Sequence, residues 1–351
     1  MIRYLGSKVS QSQDDIGILE GASHDACCSV NAGLELSPEG NAALAQAEFE
    51  SGATVLRSTP PLLTIETTSR CNLRCVMCPH GYGKIHRPKH LSKTLALKMC
   101  NFLGQAGSVQ LFGIGEPTTS PAFWRMLHEI PAPEICNSAI NTNFAVIDDR
   151  RLNALLNSNL RFINVSLDAA SETTYRRIRG FSFTVVVDNI ERFLRARGER
   201  SQNFPRIGLN MTLMRTNIEE ACDFVRLGAR LGVDVLMLWH LNHYPETARA
   251  DFVTERDGWT FDYCKEGLWN FPELSDRCIR DASALANEVG MKLIYEEKNT
   301  AIYFDETTPP ALETVKGLPS SMELDDGGDQ RARPAMHSGQ ARAGKHQRRQ
   351  P

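Results

Sequence analysis

From Thr64 to about Glu297, short apolar runs alternate with amphipathic stretches of helical period, and this alternation constrains the fold more than any other feature of the chain. The strand-like runs are Leu62–Thr67, Val109–Ile114, Ser138–Thr142, Phe162–Leu167, Ile207–Leu213 and Val233–Trp239, with Met291–Tyr295 as a further candidate. Helical faces lie between them. Leu95, Met99, Phe102 and Leu103 share one after Ser92, and Asn217 followed by Glu220 has the form of a capping box before Ala221, Phe224, Val225 and Leu231. Repeated strand–helix units over roughly 240 residues predict an α/β fold and fit a barrel of parallel strands, complete or partial, with its working face at the carboxyl ends of the strands. A doubly wound open sheet gives the same alternation, and periodicity does not separate the two.

The flanks differ in character. Residues 1–58 read as an N-terminal extension, polar apart from a helix at Pro38–Ser51 that offers Leu44 and Phe49 for packing. Residues 59–300 are the expected core barrel, and 301–351 a linker and basic tail whose composition predicts disorder. With 39 Lys+Arg against 42 Asp+Glu the net charge is −3, so a polyanion held by charge is not expected, nor is nucleic acid. The basic end, Arg331 to Arg349, reads as a solvated terminus. No apolar run reaches the eighteen or so residues of a membrane span, and Met1 to Glu20 lacks an apolar signal core. A cytoplasmic protein without a membrane partner is the expectation.

Ten cysteines are too few for a disulfide scaffold at this length, but Cys71, Cys75 and Cys78 cluster just after the first strand candidate. Shuffling the composition gives that spacing by chance at roughly 0.8%. Three thiolates on one loop suit a soft metal centre. Zinc needs a fourth ligand, which His80, His86 or His90 would supply; an iron–sulfur cubane with three protein ligands leaves one iron open for a cofactor or substrate. Cys100 and Cys222 read as buried thiols, while Cys27, Cys28, Cys264 and Cys278 lack partners at metal spacing.

The segment ETTSRCNLRCVMCPHGYG, with its C-x-x-x-C-x-x-C spacing, resembles the radical S-adenosylmethionine (radical SAM) superfamily. Further segments match in order: Gly113-Ile114-Gly115-Glu116-Pro117, Asn141-Thr142-Asn143, Asn164-Val165-Ser166-Leu167-Asp168, and then Ser171 to Tyr175, Ile178 to Gly180 and Leu213 to Asn217. The resemblance implies a partial (β/α)6 TIM-like barrel with a [4Fe-4S] cluster on Cys71, Cys75 and Cys78 whose unique iron chelates S-adenosylmethionine. It further implies reductive cleavage to a 5′-deoxyadenosyl radical that abstracts hydrogen from a peptide, natural product or cofactor precursor. The implied partners are that small-molecule or peptide substrate and an electron donor such as flavodoxin or ferredoxin. Similar proteins carry a Cys-rich SPASM extension, which this sequence lacks after Cys278, so a truncated, inactive iron–sulfur or zinc-binding scaffold is a second reading. An RNA-modifying radical enzyme is a third, motivated by the basic tail alone.

The resemblance also suggests cofactor-binding roles. Gly113 and Gly115 allow close backbone approach, and the Glu116 carboxylate suits the methionyl ammonium, though an acid ahead of Pro117 also suits a helix N-terminus. Ser166 and Asp168, two apart on a strand, would face the cavity together and accept from ribose hydroxyls. Arg179 is expected near the cofactor carboxylate and Asn143 and Asn210 at strand ends; Met77 stands where similar proteins carry an aromatic residue near adenine. The loop Pro79–His90 is long enough to cover the cluster, and Trp239, His240, His243 and Tyr244 are candidates for the substrate cavity.

Overall fold

The computed structural model describes residues 36–242 and 252–295, all within the first of the chain's two units, 1–314. Seven strands form one parallel sheet: β1 (Leu62–Thr64), β2 (Ser108–Gln110), β3 (Asn137–Thr142), β4 (Phe162–Ser166), β5 (Arg206–Leu213), β6 (Val235–His240) and β9 (Leu293–Tyr295). They lie in the order β1-β2-β3-β4-β5-β6-β9. A strictly sequential order sends every crossover the same way and places the helices on one face, whereas a doubly wound sheet reverses direction part-way. The winding is therefore that of an open β/α barrel, with β9 adding a seventh strand to the expected six.

The helices of this layer are α2 (Lys93–Leu103), α3 (Pro121–Met126), α4 (Asp149–Leu156), α5 (Glu172–Arg179), α6 (Phe183–Glu199), α7 (Ala221–Leu231) and α8 (Pro272–Glu288). Ile140, Ile163, Val165, Leu209, Met211 and Leu238 pack beneath Leu155, Phe193, Phe224 and Val225 in one core. Because side chains alternate along a strand, Asn141, Asn164, Ser166, Asn210 and Thr212 point to the opposite, concave face. Burial of one strand face against helices thus leaves a polar lining on the other.

Several elements depart from expectation. Asn217 and Glu220 do not form a capping box: Asn217 Oδ1 accepts from Met214 N at 2.7 Å, and the Glu220 carboxylate accepts from Ala170 N and Ser171 Oγ, both at 2.7 Å. Both side chains tie the loop after β4 to the loop after β5. On α2 the buried stripe is Ala96, Cys100 and Leu103, leaving Leu95 45% exposed. Helix α1 (Pro38–Glu50) forms where predicted but docks through polar groups, and Phe49 is 80% exposed. Asn41 Nδ2 donates to Thr59 O and Gln105 O, its Oδ1 accepts from Thr59 N, and Glu48 accepts from Arg57 N and Ser58 N.

An antiparallel hairpin, β7 (Val253–Arg256) and β8 (Trp259–Asp262), was not among the strand candidates. Its turn, Asp257-Gly258, has φ of +50° and +76°, the left-handed pair that a two-residue hairpin demands. Phe261 and Tyr263 from this region join Val76, Ile178, Met214 and Leu241 in a second, smaller core, with Met77, Tyr82, Phe252, Trp259 and Trp269 against it. No helix of the described residues is long and apolar enough to cross a membrane. Cys27, Cys28, His243, Tyr244 and the basic tail lie outside the described residues.

Candidate functional site

The cysteine loop leaves the carboxyl end of β1 and returns to it. Ser69 N donates to Lys89 O and Leu91 N to Thr67 O, both at 2.9 Å, closing residues 70–88 into a loop with a paired neck. Within it Cys78 N donates to Cys75 O at 3.1 Å and Gly81 N to Cys78 O at 2.7 Å, winding the chain tightly around the cysteines. Cys75 is buried and Cys71 and Cys78 half-buried. Burial pushes the Cys71 thiol up to about 11, with the neighbouring Cys75, Glu116 and Cys78 adding to it, and burial likewise raises Cys78. Thiols that burial holds protonated, as at Cys71 and Cys78, are suited to a cationic centre that draws the charge out of them.

The loop after β2 is pressed onto this one. A Cβ on Gly115 would stand 2.2 Å from Thr68 O and 2.5 Å from Arg70 O, and Glu116 N donates to Arg70 O at 2.8 Å. Gly113 lies under the Glu66 side chain, whose Oε1 accepts from Ile114 N at 2.7 Å. Close approach is what both glycines provide.

Glu116 lies buried where the loop after β2 meets the end of β3. Its side chain is 3% exposed; Oε1 accepts from Thr118 N, Thr118 Oγ1 and Thr142 Oγ1, and Oε2 from Asn143 N at 2.7 Å. Burial pushes its carboxyl above the usual range, and these donors pull it back. The carboxylate caps the 3₁₀ turn Pro117–Thr119 and fastens it to the end of β3. Asn143, held by that contact, donates from Nδ2 to Asn72 Oδ1 at 2.9 Å and lies 3.9 Å from Cys71 Sγ.

Ser166 and Asp168 do not share a strand face. Strand β4 ends at Ser166, Leu167 N and Asp168 N both donate to Asn210 O, and Asp168 takes a left-handed φ of +60°. Its carboxylate is fully buried: Oδ1 accepts from Thr212 N at 2.7 Å and Oδ2 pairs with Arg179 Nη2. The Asp168 carboxylate is thus held by an internal ion pair and a backbone N–H.

Arg179, besides pairing with Asp168, reaches Cys75, with Nη1 3.3 Å from Sγ. Burial opposes its charge, but Asp168 and Cys75 more than restore it, so the guanidinium stays charged. Arg256 of the hairpin sits over the same region. It donates to Arg177 O and Ile178 O at the end of α5 and to Arg74 O in the cysteine loop. Gly180, with φ of +69°, leaves room for it, since a Cβ there would lie 2.8 Å from the guanidinium carbon. Sequence reasoning missed Arg256; the hairpin signal Asp257-Gly258 was available to find it.

Polar atoms left over around this mouth bear on what it holds. Asn164 Oδ1, Asn210 Oδ1, Tyr175 Oη and Arg179 Nε are buried without a hydrogen-bond partner. Buried polar groups are normally satisfied, so acceptors and donors left open beside three thiols fit a polar ligand with hydroxyl and anionic groups. Among the described residues no three His, Cys, Asp or Glu side chains converge closely enough to hold one metal ion. His80 is buried with burial lowering its basicity, and Met77 packs against the smaller core.

Comparison with known proteins agrees with this arrangement. Residues 65–228 match the model of the Radical SAM superfamily. The chain is 26% identical over 183 residues to the tungsten-containing aldehyde ferredoxin oxidoreductase cofactor-modifying protein of Pyrococcus furiosus, covering 51% of each. It is 29% identical over 191 residues to the mycofactocin maturase MftC of Mycobacterium ulcerans, covering 53% of this chain and 47% of that one. Streptococcus suis SuiB, solved with its precursor peptide SuiA, has a similar fold at a TM-score of 0.52 and 14% identity, covering 73% of this chain and 52% of SuiB. The chain thus spans about half the length of these relatives.

Proposed function

We propose that the chain, whose residues 65–228 match the Radical SAM superfamily, is a radical enzyme holding a [4Fe-4S] cluster on Cys71, Cys75 and Cys78 and S-adenosylmethionine on the cluster's open iron. When bound, this pair supplies one-electron reductive cleavage to methionine and a 5′-deoxyadenosyl radical that abstracts hydrogen from the substrate. The observation that carries the proposal is the wound cysteine loop pressed against the Gly115 loop and Asn143 at one end of a parallel barrel. Gly113 and Gly115 bring peptide groups close to the loop, and Asn143 steadies Cys71 and Asn72. Asn164 and Asn210 offer open acceptors to hydroxyl groups, and Arg179 Nε an open donor to an anion. The second core, which takes in Val76 and packs against Met77, covers the stretch between the second and third cysteines.

For the substrate, we infer a peptide, natural product or cofactor precursor; names such as cofactor-modifying protein and maturase among the relatives support that class. Flavodoxin or ferredoxin is the proposed electron donor. The test is anaerobic reconstitution with iron and sulfide, reduction, and assay for 5′-deoxyadenosine. Cys75→Ala should abolish the product and Cys100→Ala should retain it; equal activity in both would sink the proposal.

A further inference from the structure

We propose that Arg179 raises the reduction potential of the centre on the cysteine loop by donating a hydrogen bond to Cys75 Sγ, with Asp168 as the counter-charge that sets how much of its positive charge the centre feels. This rests on the cluster assignment above. Arg179 ends α5, and the backbone there is joined to the cysteine loop directly: Val76 N donates to Ile178 O at 3.0 Å. The side chain is therefore delivered to Cys75 by a contact one residue away on each strand of chain.

The guanidinium is divided between two partners of opposite effect. Nη1 donates to Cys75 Sγ at 3.3 Å, while Nη2 pairs with Asp168, which is itself fixed. Thr212 N donates to the Asp168 carboxylate, and Asn217 Nδ2 donates to Asp168 O at 2.9 Å and Thr212 O at 2.8 Å. Both members are nearly sealed from water, Asp168 at 0% and Arg179 at 9% exposure. Arginine cannot relieve burial by losing its proton, so the positive charge persists beside the sulfur. Hydrogen bonds and positive charge at a ligand sulfur favour the more electron-rich oxidation state of an iron–sulfur centre, and a buried site screens them little. A reader of the fold alone would assign the pair to stability; the Cys75 contact makes it electronic.

The two residues should shift the potential in opposite directions. In the full chain, reconstituted anaerobically and titrated by EPR, Arg179→Gln should lower the midpoint potential. Asp168→Asn should raise it by freeing the arginine charge. A tenfold change in the reduction equilibrium, about 59 mV for one electron, is the expected scale. Arg179→Lys, which keeps the charge, should fall between wild type and Arg179→Gln, and if the glutamine variant does not retain iron it takes that variant's place. A wild-type chain that holds no cluster defeats the cluster assignment itself. Should the wild type hold one while the arginine and aspartate variants titrate together, or with wild type, the inference on Arg179 is overturned.

Discussion

Gly115 is under a stricter demand than Gly113, and the atoms facing each explain why. A methyl on Gly115 would meet two carbonyl oxygens of the cysteine loop, which move only if the loop moves; on Gly113 it would meet the flexible Glu66 side chain. Gly115→Ala should therefore cost about 2 kcal/mol or more and reduce iron uptake, while Gly113→Ala should cost less. Adding Glu66→Ala to Gly113→Ala should recover most of that loss in urea unfolding, and no recovery would refute the contact. Glu116→Gln, which replaces an acceptor by a donor facing buried N–H and O–H groups, should lose about 1–3 kcal/mol by the same measurement. The cysteine spacing and the glycines were legible because their meaning lies in local sequence. Glu116, Asp168 and Arg179 were recognisable as special, but the partners each meets inside the protein were not. A left-handed turn after Ser166 redirects Asp168, and only the fold reveals that the donors awaiting each side chain belong to other loops.

At the scale of elements, the hairpin connects pieces far apart in sequence. Arg256 binds the carbonyls that end α5 and one within the cysteine loop, satisfying acceptors that a helix terminus leaves open. Replacing it by alanine should raise amide hydrogen exchange together in residues 253–262 and 71–78. Exchange that rises in the hairpin alone would show the two to be independent. Strand–helix alternation placed the parallel strands to within a few residues, because burial against helices imposes a readable apolar pattern. It did not reveal the hairpin, whose strands β7 and β8 have half-exposed faces, nor the docking face of α1, which is built from Asn41 and Glu48.

Across the whole molecule, chemistry and docking occupy opposite ends of the sheet. The cysteine loop, Glu116 and Asn143 follow the strands, whereas α1 binds Thr59 and Gln105, which precede β1 and β2. Asn41→Ala should remove buried hydrogen bonds worth about 1 kcal/mol each and lower Tm by roughly 2–4 °C per kcal/mol. Iron content per chain should not change; a parallel fall in iron would show that the two ends are coupled.

The small core beside the thiols has an optical consequence. Two of the chain's four tryptophans, Trp259 and Trp269, share it with Val76 and Met77, the residues between the second and third cysteines. Iron–sulfur centres absorb across the near-ultraviolet and visible, so indoles this near would pass their excitation to one. Cluster assembly should dim the intrinsic emission, and Trp259→Phe should remove much of that quenching, giving the protein a built-in lamp for watching its own centre form.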